Sequence, residues 1–431
     1  MPIGIIESLD HDARGIARPD GKTIFVEGAL PGERVEFASY RVKSNYEIAR
    51  VKRILRPSAN RVPPRCPNFG SCGGCSMQHL DATAQLAAKQ RVLENNLRFL
   101  GKTKAEQLFP AIYGSAWGYR QRARLSVWQR SDGKVLVGFH ERKSSHVTKM
   151  TECPILPPHV SALIVPLRLL IARLSISQRL PQIEVAVGER VTVLVLRILA
   201  PLIPDDEALI RQFADTHGVV IYLQPKGPSS AYRFHPDAAP ALSYTLPESG
   251  IEHFFAPTDF TQVNHAINRV LIRRALRLID AQPGERIADL FCGLGNFTLP
   301  LARSGATVVG VEGNAELVQR AGENATANGL AETTQFAVAN LFEATPESIA
   351  ALGHFDKMLI DPPREGAIEV VKSLGDDAPR RIVYISCNPS TLARDTAVLV
   401  HQKNYRLRGA GVVNMFPHTS HVESIALFER G

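Results

Sequence analysis

No apolar run in this chain approaches the length of a membrane span, and its first residues lack the basic-then-apolar pattern of an export signal. Both absences lead to the expectation of a cytoplasmic protein with no membrane partner. Internal repeats and low-complexity segments are missing too, which excludes solenoid and linker-dominated architectures. Cysteine is scarce: six in 431 residues. Six thiols in a chain this long and unexported read as ligands or catalysts and not as a disulfide framework. Acidic residues fall short of basic ones, 42 against 50, for a formal charge of +8 and a pI near 9.2. That excess favours a polyanionic partner. The length allows two or three domains, each able to bury its own core.

What is present begins with a run of short apolar stretches and turn signals over residues 1–56, the pattern of a small all-β barrel. Ile24, Val26, Val35 and Phe37 are its expected core, each pair two residues apart as one face of a strand requires. From Arg41 to Arg65, eight Lys or Arg residues face a single acid, Glu47. A small barrel with a basic face suits nucleic acid. Next come Cys66, Cys72 and Cys75 in a C-x5-C-x2-C run, with Cys153 far downstream. Zinc knuckles show two short C-x2-C pairs, and this chain does not. Three clustered thiolates and one remote thiolate fit an iron–sulfur cluster better, with zinc at the same four sulfurs as the alternative.

Residues 82–100 read as a helix with Leu86, Leu93, Leu97 and Leu100 on one face and Gly101 as its stop. The stretch 119–128 alternates like a strand, so Arg120, Arg122, Arg124 and Trp128 share a face that can hold phosphates and stack a base. A hairpin over 183–199, a helix over 205–217 and a strand over 219–223 complete a central α/β domain, residues 57–245. The 258–264 stretch opens a long helix that runs to about Ile279.

Residues 246–431 carry the signs of a Rossmann-like α/β domain. A strand ending at Asp289 leads through Phe291, Cys292, Gly293, Gly295 and Asn296 into a helix, without the third glycine of a dinucleotide fingerprint. The next strands end at Glu312, where an acid meets ribose hydroxyls, then at Asn340, Asp361 and Cys387. Polar groups at consecutive strand ends make a binding rim. A ligand with ribose and base but no pyrophosphate cradle fits S-adenosylmethionine, with a nicotinamide cofactor as the alternative. Cys387 stands where Pro389 halts an apolar strand, at the carboxyl edge where ligands collect. A thiolate adding to carbon 6 of uracil turns carbon 5 into a nucleophile, and a base must then remove the carbon 5 proton. Glu423, a carboxylate entering the apolar strand 422–428, is the candidate base. Asp361 is a candidate for the cofactor or the uracil edge. Cys292 reads as a small packed residue.

The segments Asp-Leu-Phe-Cys-Gly-x-Gly-Asn-Phe at 289–297, Gln262-Val-Asn264, Asp361-Pro-Pro-Arg, Ser386-Cys387-Asn-Pro389 and His421-Val-Glu423-Ser together resemble the RNA uracil-5-methyltransferases. The N-terminal module looks like the TRAM barrel of the large-subunit rRNA members, and the four cysteines resemble their [4Fe-4S] ligands. Pro363 departs from the Ala associated with that branch after Asp-Pro. The resemblance implies Cys387 as nucleophile and Glu423 as base, with Gln262, Phe291, Asn296, Glu312, Asn340 and Asp361 around S-adenosylmethionine. It implies Cys66, Cys72, Cys75 and Cys153 around the cluster, a uridine of 23S rRNA as substrate, and a monomer. The same chemistry on tRNA, or a non-catalytic RNA-binding assembly factor, are the competing readings.

Overall fold

The computed structural model describes residues 1–431. Strands between Ile3 and Arg56 form a six-stranded sheet closed around Ile24, Val26, Val35 and Phe37, all buried as their two-residue spacing requires. Its longest members, Arg34–Val42 and Tyr46–Arg56, pair antiparallel with repeated register shifts that bend the sheet on itself.

A second six-stranded sheet runs Tyr232–His235, Val220–Gln224, Thr192–Arg197, Gln182–Val187, Arg122–Gln129, Val135–Gly138. The expected hairpin is present: Gln182–Val187 and Thr192–Arg197 pair antiparallel. The helix Pro204–His217, stopped by Gly218 at φ +61°, crosses over to the parallel neighbour Val220–Gln224.

The third sheet has eight strands, in the order Thr334–Val338, Thr307–Glu312, Arg286–Leu290, Lys357–Ile360, Arg381–Ser386, Glu423–Glu429, Arg406–Val413, Gln107–Leu108. The first five are parallel and carry near-continuous apolar runs because helices cover both faces. Glu423–Glu429 enters antiparallel against Arg381–Ser386. The edge strand Gln107–Leu108, from a region expected in the central domain, pairs with Arg406–Val413. The helix Ala82–Phe99 packs on the same side, against the helix Pro389–His401.

That helix departs from its expected face. Leu93 and Leu97 are buried, but Leu100 is exposed and Leu86 only half-buried, while Gln85 and Lys89 are buried in their stead. The buried stripe therefore continues at four-residue steps into polar side chains. No helix is long and apolar enough to cross a membrane.

Candidate active site

The carboxyl edge of the third sheet is where a parallel strand ends and its helix begins, and the local sequence enforces each turn. After Arg286–Leu290 the backbone folds back through Phe291, whose φ of +64° is unusual for a residue with a side chain, then through Gly293 and Gly295 at +55° and +92°. Such a strained non-glycine residue needs surroundings that hold it. Here its N–H donates to Val311, its ring lies 5.6 Å from that of Phe342, and Gly293 donates its N–H to Glu312 Oε2 at 3.2 Å. Cys292 is buried against Gly310, where any Cβ would meet its sulfur, so it packs as a small core residue.

Beneath this loop Asp289 is fully buried. Its Oδ2 accepts from Thr298 at 2.5 Å and its Oδ1 has no partner. Burial pushes this carboxyl up to about 7. Asp361, at the end of Lys357–Ile360, is pushed up to about 8, by burial first and then by the charges of Glu423 and Asp289. A carboxyl raised this far holds its proton more readily than a free one, and when protonated it can donate as well as accept.

Cys387 follows Arg381–Ser386. Ser386 Oγ accepts from the N–H of Asn388 and donates to its carbonyl, and Asn388 caps the helix Pro389–His401, so the strand-to-helix turn around the thiol is pinned. Asn388 and Thr391 also donate to the carbonyl of Arg364, tying the Asp361–Arg364 loop to that turn. In the ladder Ser386 faces Ser424. One step further along the same register, Cys387 comes opposite Glu423. Only an antiparallel strand brings the start of one segment to the carboxyl edge of the others, which is what Glu423–Glu429 does.

Glu423 is buried, with His421 Nε2 at 3.7 Å from its Oε1. Burial, then the charges of Glu423 and Asp361, push the Cys387 thiol up to about 11, with Arg364 pulling the other way. The thiol keeps its proton in the resting protein and becomes a nucleophile on losing it.

The remaining candidates are spread around the same edge. Glu312 is half-buried and orders the turn after its strand by accepting from Gly293 and Asn314. Asn340 is exposed and accepts from the N–H of Phe342. Gln262 is half-buried in the loop before the helix His265–Ile279, which starts later than the 258–264 stretch and is capped by Asn264. Asn296 is engaged elsewhere. Its Oδ1 accepts from Tyr244 and Asn268, both at 2.8 Å, and its Nδ2 donates to Asn268 at 3.1 Å. The loop presents open backbone at Gly293, where a Cβ meets nothing, beside the Glu312 carboxylate and the raised carboxyl of Asp361. A cavity of about 280 Å³ beside the central sheet, lined by Tyr222, Arg233, Leu242, Phe254, Pro257 and Arg320, contains none of these residues.

Cys66, Cys72, Cys75 and Cys153 line a single cavity with Phe69, Phe139, Met150 and Ile155. No three or more His, Cys, Asp or Glu side chains converge tightly enough to hold one metal ion. The Gly74 N–H points at Cys72 Sγ, 3.4 Å away. Burial pushes Cys75 up to about 11 and Cys153 up to about 12, and the other cysteines add to the rise. Four thiolates in such a cavity need cations between them.

The expected basic face on the central sheet is modified. Arg124 is exposed but pairs with Glu184 at 3.0 Å, and the Arg122 guanidinium is largely enclosed, with Nη1 unpartnered. Arg120 lies over the Phe139 ring, and Trp128 stacks on His146 at 5.1 Å.

Sequence patterning did not reveal the polar side chains that hold the 414–418 loop. Lys89 donates to Asn414 Oδ1 at 2.8 Å and to the carbonyl of Phe416 at 2.9 Å. Gln85 donates to the carbonyls of Met77 and Leu80 and accepts from the N–H of His418. Their spacing from Leu93 and Leu97 was the available signal.

The profile of the tRNA (Uracil-5-)-methyltransferase family matches residues 245–431, and that of the TRAM domain matches residues 5–52. A 23S rRNA (uracil(1939)-C(5))-methyltransferase RlmD from Dechloromonas aromatica (strain RCB) is 64% identical over 430 residues, all of both chains. The protein of the same description from Azoarcus sp. (strain BH72) is 63% identical, again over the full length of both. Among solved structures, the Pyrococcus abyssi tRNA (uracil-54, C5)-methyltransferase in complex with S-adenosyl-L-homocysteine aligns over 99% of each chain, with a TM-score of 0.74 and 25% identity. Identity of this order from end to end makes the chain a member of the RNA uracil-5-methyltransferase family.

Proposed function

We propose that this protein transfers a methyl group from S-adenosylmethionine to carbon 5 of a uridine in 23S rRNA, the uridine named for its full-length relatives being U1939. The observation that carries this reading is the meeting of Cys387 and Glu423 one register step beyond the Ser386–Ser424 pair, beside the glycine loop and Asp361.

The Cys387 thiol gives up its proton to solvent and the thiolate adds to carbon 6 of the flipped uracil, breaking the C5–C6 double bond and moving its electrons toward an enolate. Asp361, whose carboxyl is raised by burial, is suited in its protonated form to donate to the enolate oxygen. S-adenosylmethionine, when bound, supplies an electrophilic methyl group. Carbon 5 takes that methyl, the electrons of the broken sulfur–methyl bond departing with S-adenosylhomocysteine, and still carries its original proton. Glu423 removes the proton, the double bond re-forms and the Cys387 sulfur leaves as thiolate. Gln262, Phe291, Glu312 and Asn340 line the cofactor side in this reading, and Asn296 supports the loop through Asn268 and Tyr244.

In the same reading Cys66, Cys72, Cys75 and Cys153 hold a [4Fe-4S] cluster. The cluster would supply the cations that four enclosed thiolates require, and with all four sulfurs as ligands its role would be structural. The barrel and central sheet bind the RNA, and the enzyme acts as a cytoplasmic monomer with domains at about 1–56, 57–245 and 246–431.

Cys387→Ala tests the reading. Methyl transfer to a 23S rRNA transcript should vanish while binding of that transcript persists. Methylation by the variant would overturn the covalent route, and methylation of tRNA in preference to 23S rRNA would overturn the substrate.

A further inference from the structure

The loop 414–421 connects the strand Arg406–Val413 to Glu423, and its ladder closes with Val413 facing Glu423. The two residues that Lys89 grips, Asn414 and Phe416, come directly after Val413. Phe416 in turn meets His421 edge to face at 4.7 Å, and His421 lies against Glu423. One helical turn before Lys89, Gln85 fixes His418 at the far end of the loop, where Trp117 also stacks at 4.0 Å. Lys89 is 2% exposed on a helix that has ample solvent-facing surface, and its nearest carboxylate influence is Glu423. Burying an ammonium is costly unless it is hydrogen-bonded and compensated. Here two acceptors and the charge of Glu423, all on the one segment, offset that cost in part, and burial still lowers the Lys89 pKa to about 7.

Resting on the proposed reading of Glu423 as base, we propose that Lys89 is a positioning residue for the proton-removal step, holding the Asn414–Phe416 turn so that the Glu423 carboxylate stays within reach of carbon 5. It touches neither substrate nor cofactor. A misplacement of about 1 Å in a reacting group costs on the order of 100-fold in rate, so its loss should slow adduct resolution and leave adduct formation alone.

The test uses the full-length enzyme as purified, a 23S rRNA transcript and S-adenosylmethionine, with the covalent complex read on a denaturing gel. Lys89→Met should form the adduct at the wild-type rate and resolve it on the order of 100-fold more slowly. Its affinity for S-adenosylmethionine, measured by calorimetry, should be unchanged. Lys89→Gln, which can still donate to both oxygens, should recover about tenfold of that loss. Should Lys89→Met fail to fold, Asn414→Ala keeps the lysine and removes one acceptor, with an expected slowing of about tenfold in resolution. Wild-type resolution in a folded Lys89→Met or Asn414→Ala overturns the inference. So does an equal fall in both steps, which is what a merely structural residue would give. Glu423→Gln is the control that separates the two levels: if it traps no adduct, the reading of the base fails first, and if it does while Lys89→Met does not, only the inference falls.

Discussion

At the hinge between the barrel and the segment that follows it, the Glu33 carboxylate is fully buried and all four of its lone-pair directions are used. Oε1 accepts from Arg61 Nε and the Ser58 N–H, and Oε2 accepts from Arg61 Nη2 and the Leu30 N–H. Burial alone would raise its pKa, yet these donors hold it below the usual carboxylate range. At the edge of the third sheet three carboxylates have far fewer donors. Asp289 has an oxygen with no partner, Asp361 is pushed up to about 8, and Glu423 has only His421 at 3.7 Å and the charge of Lys89. The hinge acid is matched donor for donor, which is what a fastening needs. The edge acids are left short of partners, which suits the proton transfer and enolate stabilisation proposed for them.

The contrast predicts its own largest effect at Glu423. Glu423→Gln keeps the shape and removes the proposed base, so turnover should fall by about 10²–10⁴ while the covalent enzyme–RNA adduct accumulates. Mass spectrometry of the adduct should show the methyl group already attached. A variant that turns over at the wild-type rate would move the base elsewhere.

The hinge should answer in stability and not in chemistry. Arg61→Ala leaves Glu33 buried without its cation, at a cost of about 3–5 kcal/mol. Hydrogen exchange read on the barrel strands resolves this better than a global melt of a multidomain chain. Single-turnover chemistry with bound RNA should be unaffected. The sign of the pH effect follows from the lowered pKa: the Glu33 contribution is fully present above its unfolded value of about 4.3 and is lost as pH falls through the folded value. In Arg61→Ala that acid-side loss should shrink.

Asp289 reverses that sign. Its folded pKa, about 7, lies above an unfolded value of about 3.9, so the native state holds the proton more tightly. Stability therefore falls as pH rises between those two values and levels off above them. Asp289→Asn should flatten that stretch of the profile, read as hydrogen exchange in the Arg286–Leu290 strand between pH 5 and pH 8. A variant whose slope matches the wild type would mean that Asp289 is ionised in the fold.

Much of this arrangement was legible from residue order. Two-residue spacing exposes the barrel core at Ile24, Val26, Val35 and Phe37, and apolar runs stopped by Pro362 and Pro389 mark strand ends at Asp361 and Cys387. Glu423 shows itself as a charge at the mouth of an apolar strand. Less visible was anything that depends on a partner far along the chain. Lys89 and Gln85 look like the wet side of a helix, because the loop that covers them lies more than 300 residues away. Leu100 looks like core and is exposed, since the helix ends at Phe99. Asn296 sits in the right motif for a cofactor contact, yet Asn268 and Tyr244 occupy its amide, and neither is close in sequence. Local periodicity reports which side of an element is apolar; it does not report which distant polar group comes to lie against the other side.

The smallest expected effect is the one that reads the edge acids most directly. The Cys387 thiol is pushed up to about 11 by burial and then by the negative charges of Glu423 and Asp361. Below that value the thiolate fraction, and with it the alkylation rate by iodoacetamide, should climb about tenfold per pH unit. Replacing Glu423 with Gln removes one of the two charges without altering the burial, so the Cys387 pKa should fall and alkylation at pH 8 should quicken severalfold. Peptide mapping separates this thiol from Cys292, which is buried and should stay unlabelled. Replacing Glu33 with Gln, at the other carboxylate, should leave the Cys387 rate where it was. An unchanged rate in Glu423→Gln would mean that the carboxylate does not bear on the sulfur, and Cys387 and Glu423 would then no longer count as one site.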